Sequence, residues 1–159
     1  MIFLEHVRSS RDQGFTLVEL MIVVFIVAVL LGIGVPSFRS FLVDQRYRST
    51  SADLRIALMT ARSEAVKRNV AIQVTPTSDD DWTTGWQIVD PGDPSIIILN
   101  HVLPGAGNLT ITADNTARFL PSGRVADAVR FNLSVGSGSA TKSGCLRLEV
   151  GGYATDEGC

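Results

Sequence analysis

The chain has 159 residues, is 45% hydrophobic, and carries 14 basic against 16 acidic residues for a net charge of −2. That length suits one domain of ordinary size, and the balance lacks the overall basic excess of a nucleic-acid binder, so any such contact would rest on a local patch. The charge is unevenly spread: Arg39 to Asn69 holds seven basic and three acidic residues, and Val70 to Cys159 holds five and ten.

The first fourteen residues, MIFLEHVRSSRDQG, are formally neutral, with Arg8 and Arg11 offset by Glu5 and Asp12. Phe15 to Pro36 follows as 22 residues that are almost wholly apolar, and no charge occurs from Leu20 to Phe38. A cleaved secretory signal has an apolar core of about 7–15 residues and a small-residue cleavage site after it. Here the core is longer, and the run leads to Pro36 and further helix-like sequence instead. About 20 apolar residues span a bilayer, so the segment reads as a single transmembrane helix; a buried core helix is the other class with this pattern.

Glu19 stands just inside the leading edge of that run. A carboxylate in a membrane segment costs a few kcal/mol even on lenient scales, so it usually has a partner. It either sits at the headgroup level or pairs with a positive charge on a neighbouring subunit. A cut between Gly14 and Phe15 would create an amine one helical turn away.

GIGVPSF places Gly32, Gly34 and Pro36 together. Proline removes a backbone donor and kinks or ends a helix, so two readings stand: a helix end, or a kink inside one long helix. Beyond it, Leu54, Ala57, Leu58, Ala61 and Ala65 recur at helical spacing and make one apolar face suited to packing on a sheet. Arg46, Arg48, Arg55, Arg62, Lys67 and Arg68 fall largely around the remaining surface. A helix from Phe15 to about Arg68 would be ~80 Å long at 1.5 Å per residue, a length that suits a membrane or a filament core.

After Asn69 the texture changes. VAIQVT, GWQIVD, SIIILN, LTITA, ARFL, VRFNLSV and CLRLEV are short runs rich in β-branched or aromatic residues, separated by Pro, Gly, Asn or Asp. They predict an antiparallel sheet region of about six to eight strands. Without βαβ alternation there is no sign of a nucleotide-binding parallel sheet, and the fold class is α+β. Gly136 to Gly144, GSGSATKSG, reads as a flexible loop by composition.

GFTLVELMIVV resembles the class III signal of type IV pilins and type II secretion pseudopilins. Gly14, Phe15 and Glu19 match the glycine before the cut, the phenylalanine after it and the glutamate at the fifth mature position. The resemblance implies leader removal by a prepilin peptidase, N-methylation of Phe15, and a role for Glu19 in neutralising the N-terminal amine of an adjacent subunit. It also implies a kink or locally melting point at Gly32, Gly34 and Pro36. The neutral leader departs from the usual short basic one, although Arg8 and Arg11 still bias that end to the cytoplasm.

Three further stretches, ARSEAVKRN, DWTTGW at Asp81 to Trp86, and FLPSGR at Phe119 to Arg124, are similar to the GspH/FimT (FimU-like) group of minor pilins and pseudopilins. Read from the residues alone, these motifs are structural. Ala61, Ala65 and Val66 pack the helix on the sheet, Trp82 and Trp86 flank a turn and fill the core, and Phe119, Pro121 and Gly123 shape a strand and turn.

The organisation implied is a leader at 1–14, a transmembrane or filament-core helix at 15–38, and a periplasmic globular part at 39–159. The role implied is a subunit that primes or caps a type IV pilus or a type II secretion pseudopilus; the motifs are common to both systems. The location is the bacterial inner membrane, crossed once. The partners are other major and minor pilins or pseudopilins, the peptidase and the membrane.

A different class of function, DNA binding for uptake, is what FimT-type members imply. They use a Gly-Arg-x-Arg-like motif; here Gly123 and Arg124 match, Ala126 takes the place of the second arginine, and Arg130 follows six residues after Arg124, with Asp127 between. The acidic balance of this part also disfavours phosphate binding.

Cys145 and Cys159 are the two cysteines. In the cytosol both could be buried thiols; in a segment carried across the inner membrane they read as a disulfide. Closing a loop of about 15 residues is worth roughly 3 kcal/mol in the chain-entropy model. His6 and His101 are isolated and no CxxC occurs, so no metal site is expected. SDDDW reads as a solvated acidic loop, since successive residues do not converge on one ion as calcium-loop ligands do. GxSxG, P-loop and HExxH patterns are absent. The expectation is a protein without catalytic residues or cofactors.

Overall fold

The computed structural model describes residues 14–78, 80–103, 108–138 and 140–156, with the side chains of Pro36 and Ser137 left aside. One long helix, α1 (Leu17–Arg68), precedes eight strands among these residues. They are β1 (Ile72–Ser78), β2 (Asp81–Asp90), β3 (Asp93–Val102), β4 (Leu109–Ala113), β5 (Ala117–Phe119), β6 (Val129–Ser137), β7 (Ala140–Leu148) and β8 (Ala154–Thr155). The chain divides into two compact units after Ser37, and α1 contributes to both.

The second unit is an α+β fold with two antiparallel four-stranded sheets, ordered β3-β2-β1-β5 and β4-β6-β7-β8. The expected helical face is its core: Leu54, Ala57, Leu58, Ala61 and Ala65 are all buried, and Thr50 extends the stripe by one turn. The alanines leave room for the sheets to approach the helix backbone, while Leu54 and Leu58 fill the space between. Val66 is different. The expectation placed it in this packing, yet it is 54% exposed, because one residue advances a helix by about 100° and carries it off the face that Ala65 occupies.

β4, β5 and β6 alternate as half-buried strands should. On β6, Val129, Phe131, Leu133 and Val135 point into the core, while Arg130 and Asn132 lie exposed on the other face. Trp86 is fully buried and Trp82 nearly so, the latter meeting the Phe131 ring edge-on at 5.0 Å and 77°. Both tryptophans fill the core as expected, but no turn lies between them: DWTTGW is continuous strand at the start of β2. Fully burying one large apolar side chain is worth about 1.5–3 kcal/mol, so each of these rings contributes on that order to the stability of the unit.

The glycine-rich stretch 136–144 also departs from expectation. β6 runs to Ser137 and β7 starts at Ala140, with Ser137 opposite Ala140 and Gly136 opposite Thr141, so most of the stretch is ladder. Gly136 (φ 106) explains its composition: a Cβ there would lie 2.0 Å from the Ala140 carbonyl oxygen. The turn at Leu120 to Gly123 is as expected, closed by the Gly123 N–H donating to the Leu120 carbonyl at 2.8 Å.

Candidate functional site

α1 begins with a reciprocal cap. The Thr16 N–H and hydroxyl both donate to Glu19 Oε2, at 3.2 and 3.3 Å, and the Glu19 N–H donates to Thr16 Oγ1 at 3.2 Å. This is a capping box. Two of the orphan N–H groups at the helix start are satisfied, and a negative charge is held over the positive end of the helix dipole. The T-x-x-E pattern was legible in GFTLVEL, and Thr16 is the site residue that the sequence reading passed over. Among the described residues Glu19 Oε1 has no partner, so the carboxylate keeps one oxygen for an external donor.

The surroundings of this cap are bare. Phe15 is 87% exposed, and a Cβ on Gly14 would meet nothing within 4 Å. From Leu17 to Val35 every large apolar side chain is exposed. The most apolar 18-residue window has a mean hydropathy of 2.9, and none of it is buried. Length and composition thus allow this helix to cross a membrane. α1 continues through Gly32, Gly34 and Pro36 to Arg68, which excludes the helix-end reading. The Ser37 hydroxyl donates to the Ile33 carbonyl at 3.2 Å, a back-bond of the kind that often bends helices.

The other predicted residues lie on the second unit and do not converge. Cys145 is buried on β7 opposite Asn132; Cys159 and residues 1–13 lie outside the described residues. Arg124 is exposed in the segment after the β5 turn. Arg130 is exposed on β6, its backbone N–H donating to Asp114 Oδ1 at 2.8 Å. Among the described residues no group of three or more His, Cys, Asp or Glu is placed to hold a metal ion.

Long-range polar contacts were not legible. Arg55 donates to the Ala154 carbonyl at 2.9 Å and to Asp156 Oδ1 at 2.6 Å, clasping the segment around β8 onto α1. Burial, and then the Asp156 carboxylate, push the Tyr47 hydroxyl pKa up. His101 is not isolated: it stacks on Trp86 at 4.7 Å and lies 3.9 Å from Asp53 Oδ2. At the end of α1 a hydrogen bond from Arg68, helped by the charge of Lys67, holds Glu64 below its ordinary pKa.

Residues 50–152 match the family described as "Type II transport protein GspH". The chain belongs to the GspH family. Residues 9–35 match the prokaryotic N-terminal methylation motif, which spans Gly14, Phe15, Glu19 and most of the bare apolar helix. This GspH-family chain is 28% identical over 107 residues to the type IV major fimbrial protein FimA of Dichelobacter nodosus, covering 65% of this chain and 64% of that protein. It is 42% identical over 54 residues to the type IV major pilin protein PilA of Myxococcus xanthus, covering 34% and 24%. The chain therefore spans less than two thirds of the length of either relative.

Crystal structures of the type IV minor pilin FimU of Pseudomonas aeruginosa have the same fold. One, in space group P21, superposes with a TM-score of 0.62 at 22% identity over 74% of this chain and 92% of that one. A second, in space group P65, gives 0.57 at 22% identity over 70% and 92%. One N-terminal helix packed on antiparallel sheets is common to all of them.

Proposed function

We propose that this GspH-family chain is a minor pilin or pseudopilin subunit that primes or caps a type IV pilus or a type II secretion pseudopilus. Its role is structural and needs no catalysis. The observation that carries the reading is an 18-residue apolar window of mean hydropathy 2.9 with nothing buried, beside a unit whose core is already closed. Such a helix needs an apolar medium from elsewhere. A bilayer supplies it to the stored subunit, and the helices of neighbouring subunits supply it in a filament.

In this reading a prepilin peptidase cuts after Gly14, Phe15 becomes the methylated N-terminus, and the globular unit lies in the periplasm. The Glu19 carboxylate then pairs with the amine of an adjacent subunit. The capping box is compatible with that role, since it uses Oε2 and leaves Oε1 for the neighbour. Two buried charges that are each costly alone offset one another when paired. Gly32, Gly34 and Pro36 provide a bend between the two parts of α1. A Cys145–Cys159 disulfide pins the C-terminus to β7, consistent with the lack of a free cysteine among the described residues. DNA contact through Arg124 and Arg130 ranks second, because the part from Val70 onward has five basic against ten acidic residues and phosphate-driven binding needs several cations.

Mass spectrometry of the subunit recovered from sheared filaments or membranes tests this reading. The expected N-terminus is methylated Phe15, and recovery of the intact leader on assembled protein would refute it.

A further inference from the structure

The last turns of α1, the turn after β5 and the turn between β7 and β8 meet at one end of the second unit. A Cβ on Gly123 would lie 3.3 Å from Arg62 Nε and 3.0 Å from a Val66 methyl. One on Gly152 would meet the Gly123 carbonyl oxygen and lie 3.3 Å from the same Nε. The two turns therefore touch each other and both rest on Arg62, with the glycines at φ 74 and 78, a conformation glycine adopts without cost. Around this junction Val66, Leu120, Val150 and Tyr153 are exposed. The described chain runs from Gly152 away to Asp156, which Arg55 holds about two helical turns before Arg62.

The surface is basic. Neither Arg62 nor Arg124 has a side-chain hydrogen bond or ion pair among the described residues, and the same is true of Arg118. The Ala126 N–H donates to the Arg118 carbonyl and the Leu120 N–H to the Arg124 carbonyl, which sets Arg118 and Arg124 diagonally on one face. From Arg118 to Asp127 the single carboxylate is Asp127, and Glu149 is engaged by Arg147 at 2.9 Å. Exposed arginines beside a tyrosine and aliphatic side chains are the composition enriched in protein–protein contacts.

The complement is on the same molecule. β1 starts with Ile72 opposite Phe119 and ends with Ser78 opposite Asp81, so the β1–β2 turn lies about 20 Å along the sheet from the end of β5. There Asp80, Asp81 and Asp114 are exposed, and Asp80 and Asp114 border one hollow beside Trp82. Unlike charges at opposite ends of one sheet fit a second copy placed head to tail. A polyphosphate strand fits less well, because three arginines among aliphatic side chains, on a part of the chain with ten acidic residues, neutralise few phosphates.

We propose that two copies of this chain dock head to tail through their globular units, the Arg62–Arg124–Tyr153 surface of one against the Asp80–Asp81 end of the next. Such a contact is heterologous, leaves one free surface at each end and can extend. It uses the second unit alone and depends neither on leader removal nor on Glu19.

The test is sedimentation velocity of the full chain in a non-ionic detergent. Association through the apolar part of α1 is common to all variants, so differences between them read the globular contact. Parent self-association should weaken about tenfold or more between about 0.05 and 0.5 M salt, as screening of exposed charges requires. Arg124→Glu and Asp80→Lys should each weaken it about tenfold or more at low salt, since like charges then face each other, and an equimolar mixture of the two variants should recover it. Both positions are exposed, so both variants should melt as the parent does; Arg62→Gln, which keeps the stem on the glycines, should weaken association several-fold. Association that is insensitive to salt, unchanged in either reversal, or not recovered in the mixture would overturn the proposal, as would Arg124-dependent binding of a single-stranded oligodeoxynucleotide tighter than self-association.

Discussion

Leu31 and Leu58 are the same side chain on the same helix, in opposite surroundings: Leu31 is 58% exposed and Leu58 is 1% exposed. The contrast extends to each one's neighbours. Around Leu58 the sheets cover one stripe of apolar positions, while the other sides carry charged residues with Ile56 and Met59 exposed among them. Around Leu31 the helix is apolar on every side and nothing in the described chain covers it. A stripe can be satisfied by one intramolecular partner, but an all-round apolar surface requires an apolar surrounding. The same helix thus serves two solvents. Its second part is core for a folded unit, and its first part is left for a bilayer or a bundle of neighbours.

The contrast breaks most visibly in the core. Phe131→Ala removes a fully buried ring and the Trp82 edge contact, and should cost about 3–5 kcal/mol in urea unfolding of the second unit. Leu31→Ala should change the same measurement by less than about 0.5 kcal/mol. Equal costs would mean that the two parts of α1 are not energetically separate.

Glycines sharpen it next. Gly136 sits at φ 106 with the Ala140 carbonyl where a Cβ would go, so Gly136→Ala should destabilise the β6–β7 hairpin by about 1–3 kcal/mol. At Gly32 and Gly34 a Cβ meets nothing. Alanine there should raise helix stability by up to about 1 kcal/mol per site, read as helicity by circular dichroism, with the unfolding midpoint of the second unit unmoved.

Glu19→Gln separates assembly from folding. The amide retains size and hydrogen bonding but loses the charge, so incorporation beside parent subunits should fall about tenfold, as expected for one lost charge-assisted contact. Membrane insertion and the melting of the globular unit should be unchanged. Normal incorporation would make Glu19 a cap and nothing more. Thr16→Ala removes the other side of that cap. It should cost about 0.5–2 kcal/mol of local helix stability, seen as faster amide exchange at Glu19 and Leu20 without any shift in global unfolding.

The smallest effect is at Asp81. The Thr83 hydroxyl, and then the Thr83 N–H, bond its carboxylate and hold its pKa below the ordinary 3.8. A depressed folded value contributes stability above the unfolded pKa, lost as pH falls through the folded one. Asp81→Asn should therefore lower stability slightly at pH 7, where that contribution is fully present, flatten the curve below about pH 4, and melt as the parent does at the acid end. An unchanged acid limb would show that the Asp81–Thr83 bonds add no stability.

Much of this was legible before any coordinates. Burial direction is written in local periodicity, so Leu54, Ala57, Leu58, Ala61 and Ala65 announced the core face, and the strand-like runs announced the sheets. The uncharged run from Leu20 to Phe38, the Gly14–Phe15 junction and Glu19 are contiguous, and the cap between Thr16 and Glu19 spans three residues. What escaped was long-range or ambiguous. Arg55 and Asp156 are 101 positions apart, and no local pattern joins them. Glycines at 136, 138 and 144 suit a loose loop or a tight hairpin equally, and only the pairing of β6 with β7 chose between them.

By itself, then, the sequence determined two classes of helix surface, the strand content and the cap at the start of α1, because each depends on neighbours within a few residues. The tertiary structure alone decided that Val66 faces outward, that His101 stacks on Trp86, and that Arg62, Arg124 and Tyr153 share one surface. Those relations depend on which strands lie side by side. Strand order is set by the closing of a common core, which no single segment contains.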